Sequence, residues 1–296
     1  MNKARRYAGM AVDVLVGMKR PRGGSKGVLV LGMHRSGTSA ITSVIGLLGP
    51  DLGDRVDLMA PNEANQKGYW ESRRLTEFQE SLLHKLGGDW ETPPALRLGW
   101  ERDWRLVRRI GLARRIFRDV YGAAEQWVWK DPRTVLLLPF WRRALRFDPI
   151  VVGIFRNPLE VADSLAARDG IPKTRAVRLW ETYNRALLAN ARGLPTFITS
   201  YEDLLDDSVA VARQLSGFLE TQGLTVRQPR DEVLRSCVDA DLRHNVHPAS
   251  GTDAGDDMTD AQHELFRALR EVRGEHSAFR DLTGRFEPHL EGFPRA

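Results

Sequence analysis

The sequence predicts an α/β protein in which helices cover both faces of a central parallel sheet, a three-layer α/β/α architecture. Three observations predict this fold. Short apolar, β-branched and aromatic runs alternate with longer stretches of helical periodicity, as in β–α–β units. The runs are apolar without a break, which is typical of strands buried on both faces. The first run leads into a glycine-rich turn and an apolar helix, the layout of a P-loop-like phosphate-binding loop.

Four strands and nine helices follow from this alternation, and we expect ligands at the carboxyl ends of the strands. The strands are predicted at 27–32 (GVLVLG), 126–130 (QWVWK), 149–155 (PIVVGIF) and 195–200 (PTFITS). The helices are predicted over 37–48, 71–87, 102–120, 134–146, 158–168, 174–192, 207–222, 229–239 and 259–273. Residues 27–296 are therefore predicted to form a single domain.

The composition is that of an ordinary globular protein with a preference for anions. The chain has 296 residues, 42% of them hydrophobic and 28% charged, within the usual range. The formal net charge of +5 favours an anionic ligand. Because the charge is spread along the chain, it predicts a solvated surface and no nucleic-acid partner. Cys237 is the single cysteine, which excludes a disulfide within the chain and fits a cytoplasmic location.

Residues 1–26 form a basic leader that the domain prediction excludes. Asp13 interrupts its short apolar stretch, and basic residues follow in place of a small-residue cleavage site, so a secretory signal is not predicted. Two interpretations stay open for this segment. It is either a frayed, flexible leader or a peripheral helix in weak contact with the inner membrane surface.

The stretch VLVLGMHRSGTSA, residues 28–40, nearly matches the nucleotide-binding pattern G-x-x-x-x-G-K-[ST]. Gly32, Gly37 and Ser39 fall on the pattern, but Thr38 occupies the position of the lysine. In nucleoside triphosphatases that lysine reaches the β- and γ-phosphates. Its absence favours a donor that places one phosphate in the loop and transfers a less charged group.

The same loop offers several kinds of anion ligand. A strand that feeds a glycine-rich turn aims backbone N–H groups and the positive end of a helix dipole at one point. Ser36, Thr38 and Ser39 add hydroxyl donors, and Arg35 adds a planar, charged group.

The motif GMHRSGTS resembles the 5′-phosphosulfate loop of sulfotransferases that use 3′-phosphoadenosine 5′-phosphosulfate (PAPS). The resemblance implies that Arg35 lies near the bridging oxygen of the phosphosulfate. It also implies that Ser36, Gly37, Thr38 and Ser39 hold the 5′-phosphate. The chain is most similar to bacterial sulfotransferases that carry HRSGTS, GYWE and KDPR, and the resemblance runs from about residue 27 to about residue 222.

A second motif, FRNPLEVADSL at 155–165, is similar to the 3′-phosphate motif of that family, in which a serine follows an arginine by eight residues. Arg156 and Ser164 have this spacing. A strand-end arginine and a serine in the next helix can grip one phosphate together. The alternatives are a surface salt bridge for Arg156 and an ordinary helix-face serine for Ser164.

Two further residues enter through the resemblance. ITSYEDLLDD, residues 198–207, resembles a family strand that ends in Tyr-Glu-Asp-Leu, which implies that Tyr201 lies near the adenine. An ordinary buried aromatic is the alternative. Arg243 resembles a late basic residue that touches the 3′-phosphate, although its spacing is loose and a surface arginine is the alternative.

Lys130 is predicted to be a second catalytic cation beside Arg35. It ends the strand QWVWK and precedes Asp131, and its position resembles a lysine of tyrosylprotein sulfotransferases that assists the leaving oxygen. The competing interpretation makes Asp131 the magnesium-binding aspartate of a nucleoside triphosphatase. The absent loop lysine argues against it. No metal is expected, because protein cations can stabilise the charge on the departing phosphate.

The general base is predicted to be Glu71, in KGYWESRRL, because the resemblance implies a glutamate near the start of the helix after the phosphate loop. Glu63 and His34 are the alternatives for this role. Glu71 has a competing interpretation as a carboxylate that merely favours the helix dipole.

The acceptor is predicted only by class, as a hydroxyl of a carbohydrate, a glycolipid or another small metabolite. Tyr69, Trp70, Trp90 and Trp100 could form a wall for sugar rings, or they could belong to the core. Trp180 and Tyr183 have helical spacing and are predicted to pack in the core. A small-molecule kinase with a degenerate P-loop is the alternative function, and a non-catalytic binder of anions or nucleic acid is the third.

Overall fold

A five-stranded sheet forms the centre of the protein, with helices packed on both faces. The computed structural model describes residues 25–60, 68–238 and 258–276. The strands are β1 (Lys26–Leu31), β2 (Gln126–Lys130), β3 (Ile150–Phe155), β4 (Thr196–Ser200) and β5 (Gly274–His276). The sheet order is β2-β1-β3-β4-β5. The predicted α/β fold and its four strands are confirmed.

The sheet is mixed because its last strand, β5, is antiparallel. This strand was not predicted. The pairs β2–β1, β1–β3 and β3–β4 are parallel, whereas β5 pairs with β4 in the antiparallel sense. The sequence of β5 is GEH, which has none of the apolar residues that marked the other strands. The predicted parallel arrangement holds for the four predicted strands, and β5 adds an antiparallel strand at the edge.

The main helices follow the predicted order, with differences at their ends. They are α1 (Thr38–Leu48), α2 (Arg73–Lys85), α3 (Val107–Tyr121), α4 (Thr134–Leu145), α5 (Pro158–Asp169), α6 (Lys173–Asn190), α7 (Tyr201–Asp206), α8 (Ser208–Thr221), α9 (Asp231–Cys237) and α10 (Asp260–Glu271). Among the described residues, no helix is both long and apolar enough to cross a lipid bilayer.

Capping and two 3₁₀ turns explain where three helices depart from the prediction. The helix α2 begins at Arg73 and not at residue 71, because the Ser72 hydroxyl accepts from the N–H of Leu75. The helix α3 begins five residues later than predicted, after two 3₁₀ turns, Trp100–Arg102 and Trp104–Leu106. The short helix α7 was not predicted, and a capping box of Ser200 and Asp203 starts it.

Alternate residues of each central strand enter two separate cores. Val28 and Val30 of β1 pack with α1 and α8, whereas Leu29 and Leu31 pack on the opposite face with the helices α2 to α6 and α10. This period of two gives the three layers. Trp180 and Tyr183 are fully buried in the second core, as predicted.

Several predicted features lie outside the described residues. They are the leader up to residue 24, the alternative base Glu63 and the late arginine Arg243.

The topology puts two strand–helix junctions next to each other. The chain leaves β1 towards β2 on one side and leaves β3 towards β4 on the other, so the topological switch point lies between β1 and β3. Leu31 is in register with Gly153. The loop after β1 and the junction after β3 therefore emerge side by side.

The close approach of β1 and β3 leaves no room for a side chain at Gly32, the residue after β1. A Cβ at Gly32 would lie 2.4 Å from the backbone oxygen of Ile154 in β3. We expect Gly32→Ala to lower the free energy of unfolding by about 1–3 kcal/mol, because the buried backbone must shift. Gly217→Ala in α8, where a Cβ meets nothing within 4 Å, should instead raise it by about 0.5–1 kcal/mol. Urea unfolding of both variants checks this, and a Gly32→Ala protein of unchanged stability contradicts it.

Candidate active site

The loop between β1 and α1 has a backbone shape that few residues adopt. Arg35 has φ 67° and Gly37 has φ 87°, both in the left-handed region. A non-glycine residue there costs about 1–2 kcal/mol, a strain that is typical of functional turns. The helix α1 has no acidic residue in its first turn, and no side-chain cap is recorded at its start among the described residues. The positive end of this helix is therefore available to an anion.

The side chain of Tyr201 lies directly against this loop. A Cβ on Gly37 would lie 2.2 Å from Cδ2 of Tyr201, so the ring contacts the glycine backbone. The guanidinium carbon of Arg156 lies 4.8 Å from the centroid of the same ring. Tyr201 thus joins the loop after β1 to the junction after β3.

Arg35 and Ser164 meet across the switch point. Nε of Arg35 donates to Oγ of Ser164 at 2.8 Å, and Nη1 of Arg156 donates to the backbone oxygen of Arg35 at 3.4 Å. Nε of Arg156 also donates to Glu160 at 2.8 Å, and Glu160 is fully buried. The structure therefore brings together Arg35, Arg156 and Ser164, which two separate motifs predicted, while their roles in nucleotide binding stay predictions.

Arg168 is a further cation beside the loop that the sequence reasoning missed. Burial lowers the pKa of Arg35, and repulsion from Arg168 and Arg156 lowers it further. Ser164 and Arg168 are four residues apart on α5, so they share one helix face. That spacing was the signal that could have identified Arg168. The cluster of three guanidinium groups favours an anion.

Lys130 and Glu71 form a buried ion pair. Nζ of Lys130 lies 2.5 Å from Oε1 of Glu71, and their side chains are 1% and 8% exposed. Lys130 ends β2, and Glu71 comes two residues before α2. Burial raises the pKa of Glu71, and Asp131 raises it too, against the opposing effect of Lys130. The carboxylate of Glu71 therefore contacts Lys130, and the hydroxyl of Ser72 caps the start of α2.

Arg133 supports this pair from the other side, which the sequence reasoning did not foresee. Nη1 of Arg133 lies 4.0 Å from Oε2 of Glu71 and 3.1 Å from Oδ1 of Asp131. Its Nη2 lies 2.8 Å from Glu80. Three acidic groups therefore hold the guanidinium in place, and it positions the second oxygen of Glu71.

Asp131 uses both of its oxygens inside the protein. Oδ2 accepts from the Thr76 hydroxyl at 3.1 Å, and Oδ1 accepts from the N–H of Arg133 at 2.9 Å. The side chain is 1% exposed. These contacts favour a role in orienting Arg133 over the competing interpretation as a magnesium ligand.

His34 is held as a neutral imidazole. Its ring centroid lies 4.5 Å from that of Trp90 and 6.0 Å from that of Tyr183. Burial lowers the pKa of His34 well below the usual value, and the nearby cations, Arg133 first among them, lower it further. Because these cations oppose its protonation, His34 is a weaker candidate for the general base than Glu71.

The aromatic residues of the predicted acceptor wall have mixed surroundings. Trp90 and Trp100 are half-buried and pack against the core. The backbone oxygen of Tyr69 accepts from the Ser39 hydroxyl at 3.4 Å, which places this residue beside the phosphate loop. The acceptor wall stays a prediction.

Comparison with known proteins gives two similar solved structures. No protein-family model matches the chain, and no curated protein matches it. The sulfotransferase domain of the Synechococcus PCC 7002 olefin synthase is 18% identical, with a TM-score of 0.43 over 84% of this chain and 90% of that domain. The sulfotransferase domain from the curacin biosynthetic pathway is 15% identical, with a TM-score of 0.42 over 92% of this chain and 93% of that domain. Similarity at this level assigns no function to the chain.

Breaking the buried pair should be costly, whereas removing it whole should cost less. We expect Glu71→Gln or Lys130→Met alone to lower the free energy of unfolding by about 3–5 kcal/mol, since each leaves a buried charge without its partner. The double variant should lose less than the sum of the two. A urea double-mutant cycle measures this coupling.

The exposed pair Arg213–Asp231, with side chains 41% and 48% exposed, provides the matched control. Arg213→Met and Asp231→Asn should couple by less than about 1 kcal/mol. Equal coupling in the two cycles would contradict the view that burial makes the Glu71–Lys130 pair important.

Proposed function

We propose that this protein is a sulfotransferase that moves a sulfuryl group from PAPS to a hydroxyl acceptor. The hydrogen bond between Arg35 and Ser164, 2.8 Å long, is the observation that carries the proposal. It joins the phosphate loop to the arginine–serine motif after β3. A donor with phosphates at both ends of one ribose needs two anion sites side by side, and the contact between Arg35 and Ser164 supports the proposal that this junction provides them.

The residues around this junction fit such a donor. Oγ of Ser36 is buried without a hydrogen-bond partner among the described residues, and a phosphate oxygen would satisfy it. The repulsion that Arg168 and Arg156 exert on Arg35 would be relieved by a bound anion. Accordingly, Arg35, Ser36, Gly37, Thr38 and Ser39 would hold the 5′-phosphosulfate.

The second anion site would hold the 3′-phosphate through Arg156 and Ser164. Tyr201 contacts both Gly37 and the guanidinium of Arg156, so its ring lies between the two proposed phosphate sites. This position supports its proposed place near the adenine.

Bound PAPS supplies an activated sulfuryl group, and the chain supplies the base and the cations. Glu71 accepts the proton of the acceptor hydroxyl while that oxygen bonds to sulfur. The bond between sulfur and the 5′-phosphate oxygen breaks, and its electron pair stays on the phosphate. Arg35 and Lys130 stabilise the charge that develops there. Because protonation neutralises Glu71, the charge of its partner Lys130 becomes available at the same moment.

The surroundings of two residues disfavour the alternative of a small-molecule kinase. Thr38 holds the position of the kinase lysine and is almost fully buried. A Cβ on Gly32 would lie 3.0 Å from the Thr38 methyl group, so Thr38 packs against the base of the loop. Asp131 has both oxygens engaged by Thr76 and Arg133.

The acceptor is proposed as a hydroxyl of a carbohydrate, a glycolipid or a small metabolite. Tyr69 lies beside the phosphate loop, and Trp90 lies against His34 of that loop. Aromatic faces there would suit a sugar ring.

Nucleotide binding tests the two anion sites. We expect 3′-phosphoadenosine 5′-phosphate to bind in the presence of a metal chelator, measured by calorimetry. Ser164→Ala should weaken it by about 10- to 100-fold, the loss expected for a hydrogen bond to a charged group, and should scarcely change 5′-AMP binding. Ser236→Ala, at an exposed serine of α9, is the control.

Two results would contradict these assignments. Equal weakening of both nucleotides by Ser164→Ala would remove the 3′-phosphate role. Binding of ATP only with magnesium, and no binding of the bisphosphate, would overturn the sulfotransferase proposal in favour of the kinase.

The base is tested by turnover and its pH dependence, with labelled PAPS and a metabolite extract as the acceptor source. Glu71→Gln should lower turnover by roughly 10²–10⁴-fold and leave nucleotide affinity intact. Only ionised Glu71 accepts a proton, and its pKa is raised. Activity should therefore fall with decreasing pH at a midpoint above about 4.3, the value for a free glutamate. Lys130→Met removes a charge that favours ionisation, so it should move this midpoint higher. An active Glu71→Gln enzyme would transfer the role to Glu63 or His34.

A further inference from the structure

One segment combines exposed apolar side chains with an excess of arginine. Residues 97–119 contain eight arginines and three acidic residues. Of the four large hydrophobic side chains that are exposed among the described residues, three lie in this segment: Leu98, Trp104 and Leu112, at 102%, 77% and 42% exposure. Exposed apolar groups concentrated in one place mark interaction sites.

The inner side of this segment is fixed to the domain. Ile110, Ala113 and Phe117 of α3 are buried in the core. Two of the eight arginines also point inward, since Arg109 donates to the Ser81 hydroxyl at 2.8 Å and Arg114 donates to the backbone oxygen of Ala144. The helix α3 is therefore anchored to the domain through its inner side.

The outer side carries the remaining charge, and we call it the basic face. It consists of Leu98, Trp104 and Leu112 with six exposed arginines, which are Arg97, Arg102, Arg105, Arg108, Arg115 and Arg118. Arg108, Leu112 and Arg115 succeed one another at intervals of four and three residues, which is one stripe along α3, and Trp104 lies in the 3₁₀ turn just before this helix.

Most of this charge is not neutralised locally. Arg102 and Arg105 pair with Glu101 at 3.4 Å and with Asp103 at 3.7 Å. No ion pair is recorded for Arg108, Arg115 or Arg118 within the described part of the chain. The outer side of α3 therefore presents net positive charge. Leu112 is exposed in the middle of this helix, and Trp104 is exposed in the turn just before it.

We propose that the basic face docks on the surface of an anionic lipid membrane. Each arginine near such a surface gains attraction from the acidic headgroups, and a tryptophan is well suited to the boundary between headgroups and acyl chains. The aliphatic side chains decide between lipid and nucleic acid. Bases stack on aromatic rings, whereas Leu98 and Leu112 offer no stacking surface and are accommodated by acyl chains. This surface is distinct from the nucleotide site, and its docking does not rest on the proposed sulfuryl transfer.

Vesicle binding tests the proposal with the full-length protein. We expect sedimentation with vesicles of phosphatidylcholine and phosphatidylglycerol at low salt, little with phosphatidylcholine alone, and release at high salt. The triple variant Arg108→Gln/Arg115→Gln/Arg118→Gln should partition roughly 100-fold less, at about fivefold for each charge. Trp104→Ala should reduce partitioning several-fold without changing the net charge.

Matched controls separate this face from the overall charge. Arg178→Gln/Arg192→Gln/Arg235→Gln removes the same charge from exposed arginines elsewhere, and Val56→Ala truncates an exposed hydrophobic residue outside the segment. Both controls should keep most of the vesicle binding. Urea unfolding confirms that every variant is folded.

Three outcomes would overturn the proposal. They are the absence of binding to anionic vesicles, equal loss in the two triple variants, and binding of single-stranded RNA that depends on the basic face while vesicles do not bind. The last result would assign the face to nucleic acid. Failure of the unsubstituted protein to bind 3′-phosphoadenosine 5′-phosphate, with vesicle binding intact, would leave this proposal standing while the proposed function fails.

Discussion

The pairing of β1 with β3 in the middle of the sheet is the constraint on which the candidate site depends. Parallel strands that end at the same edge bring their following loops together. Here those loops carry Arg35 and Arg156, and the helix after β3 adds Ser164. Gly32 allows the two strands to approach because it has no Cβ to meet the Ile154 oxygen. Without this contact, the phosphate loop and the arginine–serine motif would be two unrelated turns.

Close packing of cations is the second consequence of this geometry. Arg168 and Arg156 repel Arg35, and burial, together with nearby cations that include Arg133 and Arg168, lowers the pKa of the neighbouring His34. An anion bound beside Arg35 would relieve this repulsion. The protein balances part of the charge itself, since Glu160 pairs with Arg156 and Glu71 pairs with Lys130.

The ion pair between Glu71 and Lys130 shows how burial changes the acid–base properties of a carboxylate. In water their attraction would be weak, but at 8% and 1% exposure each depends on the other. Burial raises the pKa of Glu71, which makes the carboxylate a better proton acceptor. A change in its protonation also changes the charge balance around Lys130. The network of Arg133 and Asp131 holds this geometry from behind.

The amino-acid sequence by itself determined the strands, most helices and the two motifs for which phosphate binding is proposed. Unbroken apolar runs such as VLVL in β1 and IVVGIF in β3 have only one stable environment, between two layers of helices. The sequence could predict that Arg156 and Ser164 lie close together, because both belong to one strand–helix unit. The strand β5 was not, because GEH has no apolar pattern and becomes a strand only by pairing with β4.

Only the tertiary structure decided which distant residues share the site. Glu71 and Lys130 are 59 positions apart, and Arg35 and Ser164 are 129 positions apart. Local periodicity reports which face of an element is apolar and does not report which strands are neighbours. Strand order is set by the packing of the whole chain, and for that reason the contacts of Arg133, Arg168 and His34 emerged only with the fold.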